Sequence, residues 1–399
     1  MRSGKKSTVS AADVKGVAAA WIGEHLQFSD YGRKCTASVI LSVLLFAASR
    51  LRSIYDACQR LQGAPSDETL RKALMATLPP PAELEARINA ALGHALPKAF
   101  FKRGQRIAID FTLIPYHGQA HQEEREIRRG QAKHGTTHFH TYATAFVVQH
   151  GQRYTLAMTY VFGDETTEQV VKRLMQQVRQ LGVKVRFVLL DKGFFNVEVV
   201  RYLQAARYPF LMPAFARGRK PNTPRPDSLH AFAARTCSGW ARYRWTNRKK
   251  RCATVCIAIV CRNYHGQRRR HGRRTQLYAY WGMRPSSALW VYETYRRRFG
   301  IETSYRQMNE GRIRTSTRNP LLRLLFVGLA LILRNVWVWV HLNWLAERRG
   351  TGIRLRDELL RLREMTLWLQ HLVEAEFGLL TLKPISNQRR WKTSNLQTA

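Results

Sequence analysis

A chain of 399 residues, 45% of them hydrophobic and 11% aromatic, is long and apolar enough to fold into two or three modules around a sizeable core. Its 66 Lys and Arg against 27 Asp and Glu give a formal charge of +39, a self-repulsion that a compact chain relieves by binding a polyanion, so DNA or RNA is the expected partner. The charge is spread along the chain rather than gathered into one polybasic segment, which ranks a membrane surface second, and six irregularly spaced cysteines fit a reduced protein without a disulfide framework.

The basic start, MRSGKKSTVS, leads into Ala12 to His25 without an apolar secretory core, so a cytoplasmic location is expected. Val39 to Ala48 is too short to span a bilayer, and Leu324 to Val340 is interrupted by Arg334 and Asn335. Both read as buried helices, and no membrane partner is expected.

In chain order, the first hundred residues read as helical, with an apolar helix through Val39 to Ala48, a second from Ser53 to Gln62 and a third starting at Ser66. In the turn Gly63-Ala64-Pro65-Ser66, Gly63 can end one helix and Ser66 can cap the next, whose first turn carries the favourable acids Asp67 and Glu68. The pattern resembles a helix-turn-helix over 53–78, with Arg71 and Lys72 available to phosphates or bases; a plain helical hairpin fits it equally. Pro79, Pro80 and Pro81 stop that helix, and a further short one ends near Pro97. From Arg106 the pattern turns to strands: Arg106 to Tyr116, His140 to Gln149 and Arg153 to Phe162. A helix over Asp164 to Leu181 leads to a strand at Val185 to Asp191, a helix from Val197 to Ala206 and a strand from Tyr208 to Pro213. This β-β-β-α-β-α-β order predicts an α/β fold, a mixed sheet flanked by helices.

Residues 215–284 break that order, holding 18 Lys or Arg and a single acid, Asp227. With strand-like runs around Arg242 and from Ala253 to Val260, they read as a basic β-rich insertion. Beyond it, Ser286 to Arg312 reads as a long amphipathic helix, Leu321 to Trp344 as an apolar one, and Arg354 to Glu376 as another before a polar tail. The expected divisions are a helical DNA-binding domain (1–100), two parts of one catalytic domain (101–214 and 285–345), the insertion between them (215–284), and a C-terminal helix and tail (346–399). No phosphate-cradling or dinucleotide-binding glycine motif is present, so neither nucleotide hydrolysis nor a dinucleotide cofactor is expected.

Asp110 lies in Arg106-Ile-Ala-Ile-Asp110-Phe-Thr-Leu-Ile-Pro115, a strand apolar on both faces, where a carboxylate is costly unless a cation or donor compensates it. A metal ion and a pairing Arg or Lys meet that demand equally. Asp191 ends a second buried strand, Val185-Arg-Phe-Val-Leu-Leu-Asp191, where α/β sheets tend to place ligand sites. After the insertion, Tyr295, Arg298, Glu302, Arg306 and Asn309 fall within an arc of roughly 80° on a helix and so share a face. Spacing alone makes that an ordinary solvated face with intrahelical pairs; the two strand acids give it another meaning.

Tyr295-x2-Arg298-x3-Glu302 resembles the signature of DDE-type insertion-sequence transposases of the IS-four-like kind, whose pattern Y-x2-R-x3-E-x6-K ends here in Asn309. An Asp inside the first strand, and a second opening Asp191-x-Gly193-Phe194 after a buried strand, agree with it. The resemblance spans roughly Arg106 to Trp344 and implies a ribonuclease-H-like catalytic core with a β-rich insertion before the glutamate helix. It implies that Asp110, Asp191 and Glu302 hold two Mg²⁺ or Mn²⁺ ions that serve cleavage at the element's terminal inverted repeats and strand transfer to target DNA. Tyr295 and Arg298 would contact phosphates near the cut, and Arg306 or Arg312 would supply the charge missing at Asn309. The resemblance also implies a DNA-associated place on a prokaryotic nucleoid, and a homodimer on DNA is expected, because two ends must be brought together. A stand-alone ribonuclease-H-like nuclease and a catalytically silent transposase-derived DNA-binding protein are the alternatives; the presence of all three acids argues against the latter. Gly300 is expected to weaken the helix and to allow close approach of DNA or a neighbouring strand.

Trp240, Trp245 and Trp281 stand among the arginines of the insertion, a mixture that can grip phosphates and stack a base, although tryptophans in a small β-unit more often form its core. Cys237, Cys252, Cys256, Cys261, His265 and His271 lack the spacing of a zinc site. His134, His138 and His140, at a loop-to-strand junction, point to DNA contact or plain exposure rather than to a metal.

Overall fold

Hydroxyl caps set the start of the first four helices: Ser10, Thr36, Ser53 and Ser66 each accept a hydrogen bond from the backbone N–H three residues on. The computed structural model describes residues 8–148, 153–216, 218, 222–223, 225–265, 271–349 and 352–380. The helices so capped are α1 (Ala11–Leu26), α2 (Ala37–Arg50), α3 (Ile54–Cys58) and α4 (Asp67–Thr77); α5 (Pro81–Gly93), opened by a proline, and α6 (Ala99–Lys102) follow. α3 is shorter than the expected Ser53 to Gln62. The C-terminal segment claims the backbone beyond it: Gln62 N–H donates to Gly378 C=O, Gly63 N–H to Phe377 C=O, and Leu61 bridges Leu379.

The sheet begins with β1 (Gln105–Pro115), β2 (Arg128–Lys133), β3 (Thr136–Val147) and β4 (Thr155–Val161), then α7 (Thr167–Gln180), β5 (Val185–Leu190), α8 (Val197–Ala205) and β6 (Phe210–Ala214). β2 was not foreseen. Its residues, Arg128-Arg-Gly-Gln-Ala-Lys133, are polar and mostly exposed, so they carry no apolar alternation. A two-residue turn with positive φ at His134 and Gly135 folds them against β3. β3 runs antiparallel to β1, β4 pairs the other side of β3, and β5 and β6 lie parallel beyond β1. This is the mixed sheet flanked by helices that the βαβ order demanded.

The insertion contributes α9 (Leu229–Ala233), β7 (Gly239–Thr246), β8 (Cys252–His265) and β9 (His271–Trp281). It does not build a sheet of its own. β9 pairs antiparallel with β6 from Phe210 to Ala214, and the ladder continues through β8 to β7, giving the order β2-β3-β1-β5-β6-β9-β8-β7.

Both faces of the central strands are apolar because both are covered. Ala108, Phe187, Leu189, Leu211 and Ala258 pack under α10 (Ala288–Arg296) and α11 (Gly300–Asn309); Ile107, Ile109, Val188, Leu190 and Met212 face the larger helical core. The helix expected as one piece over 286–312 is broken by a 3-10 turn at Arg297–Phe299. Gly300 makes no close backbone approach: a Cβ there would meet Arg153 and Phe146 side chains at ordinary distances of 3.7 Å or more.

α12 (Pro320–Val340), continued by a π turn over His341–Leu345, is the one span among the described residues apolar and long enough to cross a membrane, and it lies buried in the core. The short hairpin of β10 (Glu347–Arg349) and β11 (Gly352–Arg354) precedes α13 (Leu362–Phe377), which therefore starts later than the expected Arg354.

Two of the polar residues inside α12, Arg334 and Asn335, are structural. Arg334 donates to Gln307 Oε1 (3.1 Å) and Arg153 C=O (2.7 Å), tying α12 to α11 and to the start of β4. Asn335 imitates a strand: its Oδ1 accepts from Thr155 N–H (3.0 Å), and its Nδ2 donates to Thr155 C=O (2.8 Å) and Leu92 C=O (3.2 Å). Asn89 of α5 does the same for Met158, and Glu85 accepts from Tyr160 N–H and the Thr159 hydroxyl. The outer edge of β4 is thus closed by helix side chains rather than by another strand. Asn335→Leu orphans three buried backbone groups; at about 1–3 kcal/mol each, less what Leu burial returns, it should cost roughly 2–5 kcal/mol in urea unfolding. A loss below about 1 kcal/mol would mean that water replaces the amide.

Candidate active site

Alternation along two neighbouring strands brings the first two acids to one face. Asp110 follows Ala108 by two residues on β1, and Asp191 follows Leu189 by two at the end of β5, so both lie on the side covered by α10 and α11. The Asp110 carboxylate accepts from Phe111 N–H (2.8 Å) and from the Arg298 guanidinium (2.7 Å). Burial pushes its pKa up to about 6; the charge of Arg298 opposes that rise and Asp191 adds to it.

Arg298 sits in the 3-10 turn between the two helices and is only 5% exposed. Its guanidinium lies 3.6 Å from Asp191 Oδ1 and 3.4 Å from Glu302 Oε1, while its Nε donates to Tyr295 Oη (2.9 Å). Tyr295 in turn donates to Asp191 (3.4 Å). Burial holds the Tyr295 hydroxyl well above its ordinary range, which keeps it a proton donor. Asp110, Asp191, Glu302 and Tyr295, drawn from four segments, thus converge on one buried cation supplied by the chain itself. The three carboxylates do not close to within 4.8 Å of one another.

Sequence reasoning missed Tyr305. It is partly buried, donates to Asp110 C=O (2.8 Å) and pairs with Thr144 Oγ1 (2.8 Å), the residue opposite Asp110 in the β1–β3 ladder. Tyr305 therefore fixes the height of α11 over β1. Its place three residues after Glu302, next to the signature face, was the available signal. Beside Asp191 opens a cleft of about 730 Å³ whose lining includes Lys192, Arg274, Arg296, Tyr278, Tyr292 and Phe299.

The other residues singled out lie further away. Arg306 and Asn309 are exposed on α11, and Asn309 Oδ1 accepts from Arg312 Nε (3.0 Å). Arg312 is half-buried, which lowers its pKa to about 10, so Arg306 is the better presented charge. Arg71 and Lys72 project from α4 and pair within the helix with Asp67 (2.6 Å) and Glu68 (2.8 Å). Trp240 is exposed beside Arg242 and Arg244 on one face of β7; Trp245 is on the other, stacked on Phe195 (4.9 Å) and Tyr243 (5.2 Å). Trp281 stacks on Phe210. The latter two rings are therefore used in packing.

A family model for the Transposase DDE domain matches residues 102–336, a span holding all three acids and the β7–β9 insertion. No curated protein matches the chain significantly. Among solved structures, the cryo-EM structure of the piggyBac transposase synaptic complex with hairpin DNA is similar, with a TM-score of 0.53 and 12% identity over 94% of this chain and 81% of that one. The structural likeness concerns the fold, while the family model covers more than half of the chain. The chain accordingly belongs to the DDE transposases.

Proposed function

We propose that this transposase cleaves DNA at the terminal inverted repeats of an insertion sequence and joins the freed ends to target DNA, with Asp110, Asp191 and Glu302 holding two divalent cations, Mg²⁺ or Mn²⁺. The observation that carries the proposal is the convergence of three acids, remote in sequence, on one point already occupied by positive charge. The donor set fits a hard cation: it is all carboxylate oxygen, and one member is buried where an uncompensated charge is costly. Two cations held there would activate the attacking oxygen and stabilise the leaving oxygen of an in-line phosphodiester displacement.

The chain's own residues do the remaining work. Tyr305 and Phe111 N–H keep the Asp110 backbone and carboxylate in place. Arg298 offsets part of the charge of the three acids in the free protein, and Tyr295 links it to Asp191. Metal loading requires that guanidinium to yield the carboxylates, which leaves it free for a phosphate at the cut. Arg306 and Asn309 on α11, Arg71 and Lys72 on α4, and Trp240 with Arg242 and Arg244 on β7 are the proposed DNA-facing residues; Trp245 acts behind them through packing. The formal charge of +39 supports DNA as partner, and a homodimer on DNA follows from the need to pair two ends.

The direct test is Mg²⁺-dependent cleavage and strand transfer on DNA carrying the gene's own flanking repeats. Asp110→Ala, Asp191→Ala and Glu302→Ala should each abolish cutting, by at least a thousandfold, while DNA binding persists. Cutting without joining would identify a nuclease, and binding without cutting under any divalent metal a silent derivative. In the absence of DNA, Arg298→Gln should bind Mn²⁺ at least tenfold more tightly by electron paramagnetic resonance yet cut poorly; unchanged Mn²⁺ affinity would show that the guanidinium does not compete for the acids. Asp110 also makes stability fall with rising pH. Its carboxyl is protonated in both folded and unfolded chains below about pH 4, keeps its proton only when folded between there and about pH 6, and is buried as an anion above that. In EDTA, Asp110→Asn should raise the Tm at about pH 7.5 and leave it unchanged near pH 4. A lower Tm at the higher pH would mean that the pair with Arg298 outweighs burial.

A further inference from the structure

α1 and α5 end side by side, and three ligating groups meet there. His25 Nε2, in the last turn of α1, lies 3.0 Å from His94 Nδ1, the C-cap of α5. Glu24 Oε1 is 4.0 Å from both. This is the one set of three His, Cys, Asp or Glu residues among those described whose ligand atoms all fall within 4.8 Å of one another, and it shares no residue with the catalytic acids.

We propose that Glu24, His25 and His94 form a second metal site, which takes one borderline transition-metal dication such as Zn²⁺ and clasps the end of α1 to the end of α5. Two imidazoles and one carboxylate suit Zn²⁺, Co²⁺ or Ni²⁺ rather than Mg²⁺, which prefers oxygen alone. A tetrahedral ion with Zn–N near 2.0–2.1 Å holds two nitrogens about 3.3 Å apart, so the imidazoles, hydrogen-bonded to each other in the free protein, give up that bond, open by a few tenths of an ångström and turn their nitrogens toward the ion. Glu24 is exposed, and its flexible side chain can close the remaining gap. Both helices present their negative C-terminal ends to the ion. The indole of Trp21 packs against His94 (centroids 4.7 Å apart) and donates to Ala91 C=O (2.7 Å), forming a wall that limits how the ring can turn. Arg87 reaches across the same seam to Leu26 C=O (3.1 Å). Because α5 also closes the edge of β4 through Glu85 and Asn89, the ion would fasten the N-terminal helix to the element that covers the catalytic sheet.

The test uses the full chain, stripped with EDTA and titrated with Zn²⁺ by calorimetry in excess Mg²⁺, with the visible absorption of Co²⁺ as an independent readout. One ion per chain, a four-coordinate Co²⁺ spectrum and a Zn²⁺-dependent rise in Tm are expected. His25→Gln and His94→Gln should each weaken binding at least tenfold while Asp110→Asn leaves it intact, which separates this site from the proposed catalytic one. Glu24→Gln, at an exposed position, should weaken binding without disturbing the fold and serves if either histidine variant fails to fold. Absence of stoichiometric uptake by the wild-type chain, or uptake that survives all three substitutions, would overturn the proposal.

Discussion

A guanidinium buried among three carboxylates is the constraint on which this site turns. Arg298 is almost wholly removed from water, and such a charge persists only where it is paired and hydrogen-bonded. Its partners come from the middle of β1, the end of β5 and the first turn of α11, so pairing it means docking α10 and α11 on one face of the sheet at one height. The 3-10 turn at 297–299 follows from the same demand: it separates α10 from α11 and turns Arg298 inward while Glu302 stays accessible. Tyr305 then locks the arrangement at the Asp110 backbone.

The other half of the architecture solves an edge problem. β4 lies at the outside of the sheet, yet its Thr155, Met158 and Tyr160 backbone groups are buried and need partners. Side chains of Asn335, Asn89 and Glu85 supply them from two helices. This explains polar residues in helices that otherwise read as pure core, and it joins the N-terminal helices to the catalytic core in one continuous hydrophobic cluster.

What was legible in the sequence was what local chemistry dictates. Asp110 and Asp191 stand out because acids are rare in runs such as Ile-Ala-Ile and Val-Leu-Leu, and period-two alternation then assigns their face. Glu302 was legible only because its spacing from Tyr295 and Arg298 resembles a family signature; spacing by itself reads as a solvated face. That spacing, taken as one unbroken helix, suggested a shared surface and hid the fact that Arg298 is buried and turned to the acids. β2 escaped notice because a polar edge strand has no hydrophobic pattern. The helix expected from Ser53 to Gln62 stops at Cys58 because the backbone beyond it is claimed by a segment more than three hundred positions away. The pairing of His25 with His94 is invisible for the same reason, since nothing in either local sequence names its partner.

The unbroken ladder from β1 to β7 has a metric consequence. Five interstrand steps separate the strand of Asp110 from the strand of Trp240, which at about 4.8 Å per step is roughly 24 Å along the sheet. At a rise of 3.4 Å, that length corresponds to about seven base pairs of duplex. A sheet joined by backbone hydrogen bonds acts as a ruler with fixed graduations: DNA held at the β7 end would present to the acids a phosphate chosen by counting strands, and deleting one strand of the insertion would move the mark by between one and two base pairs.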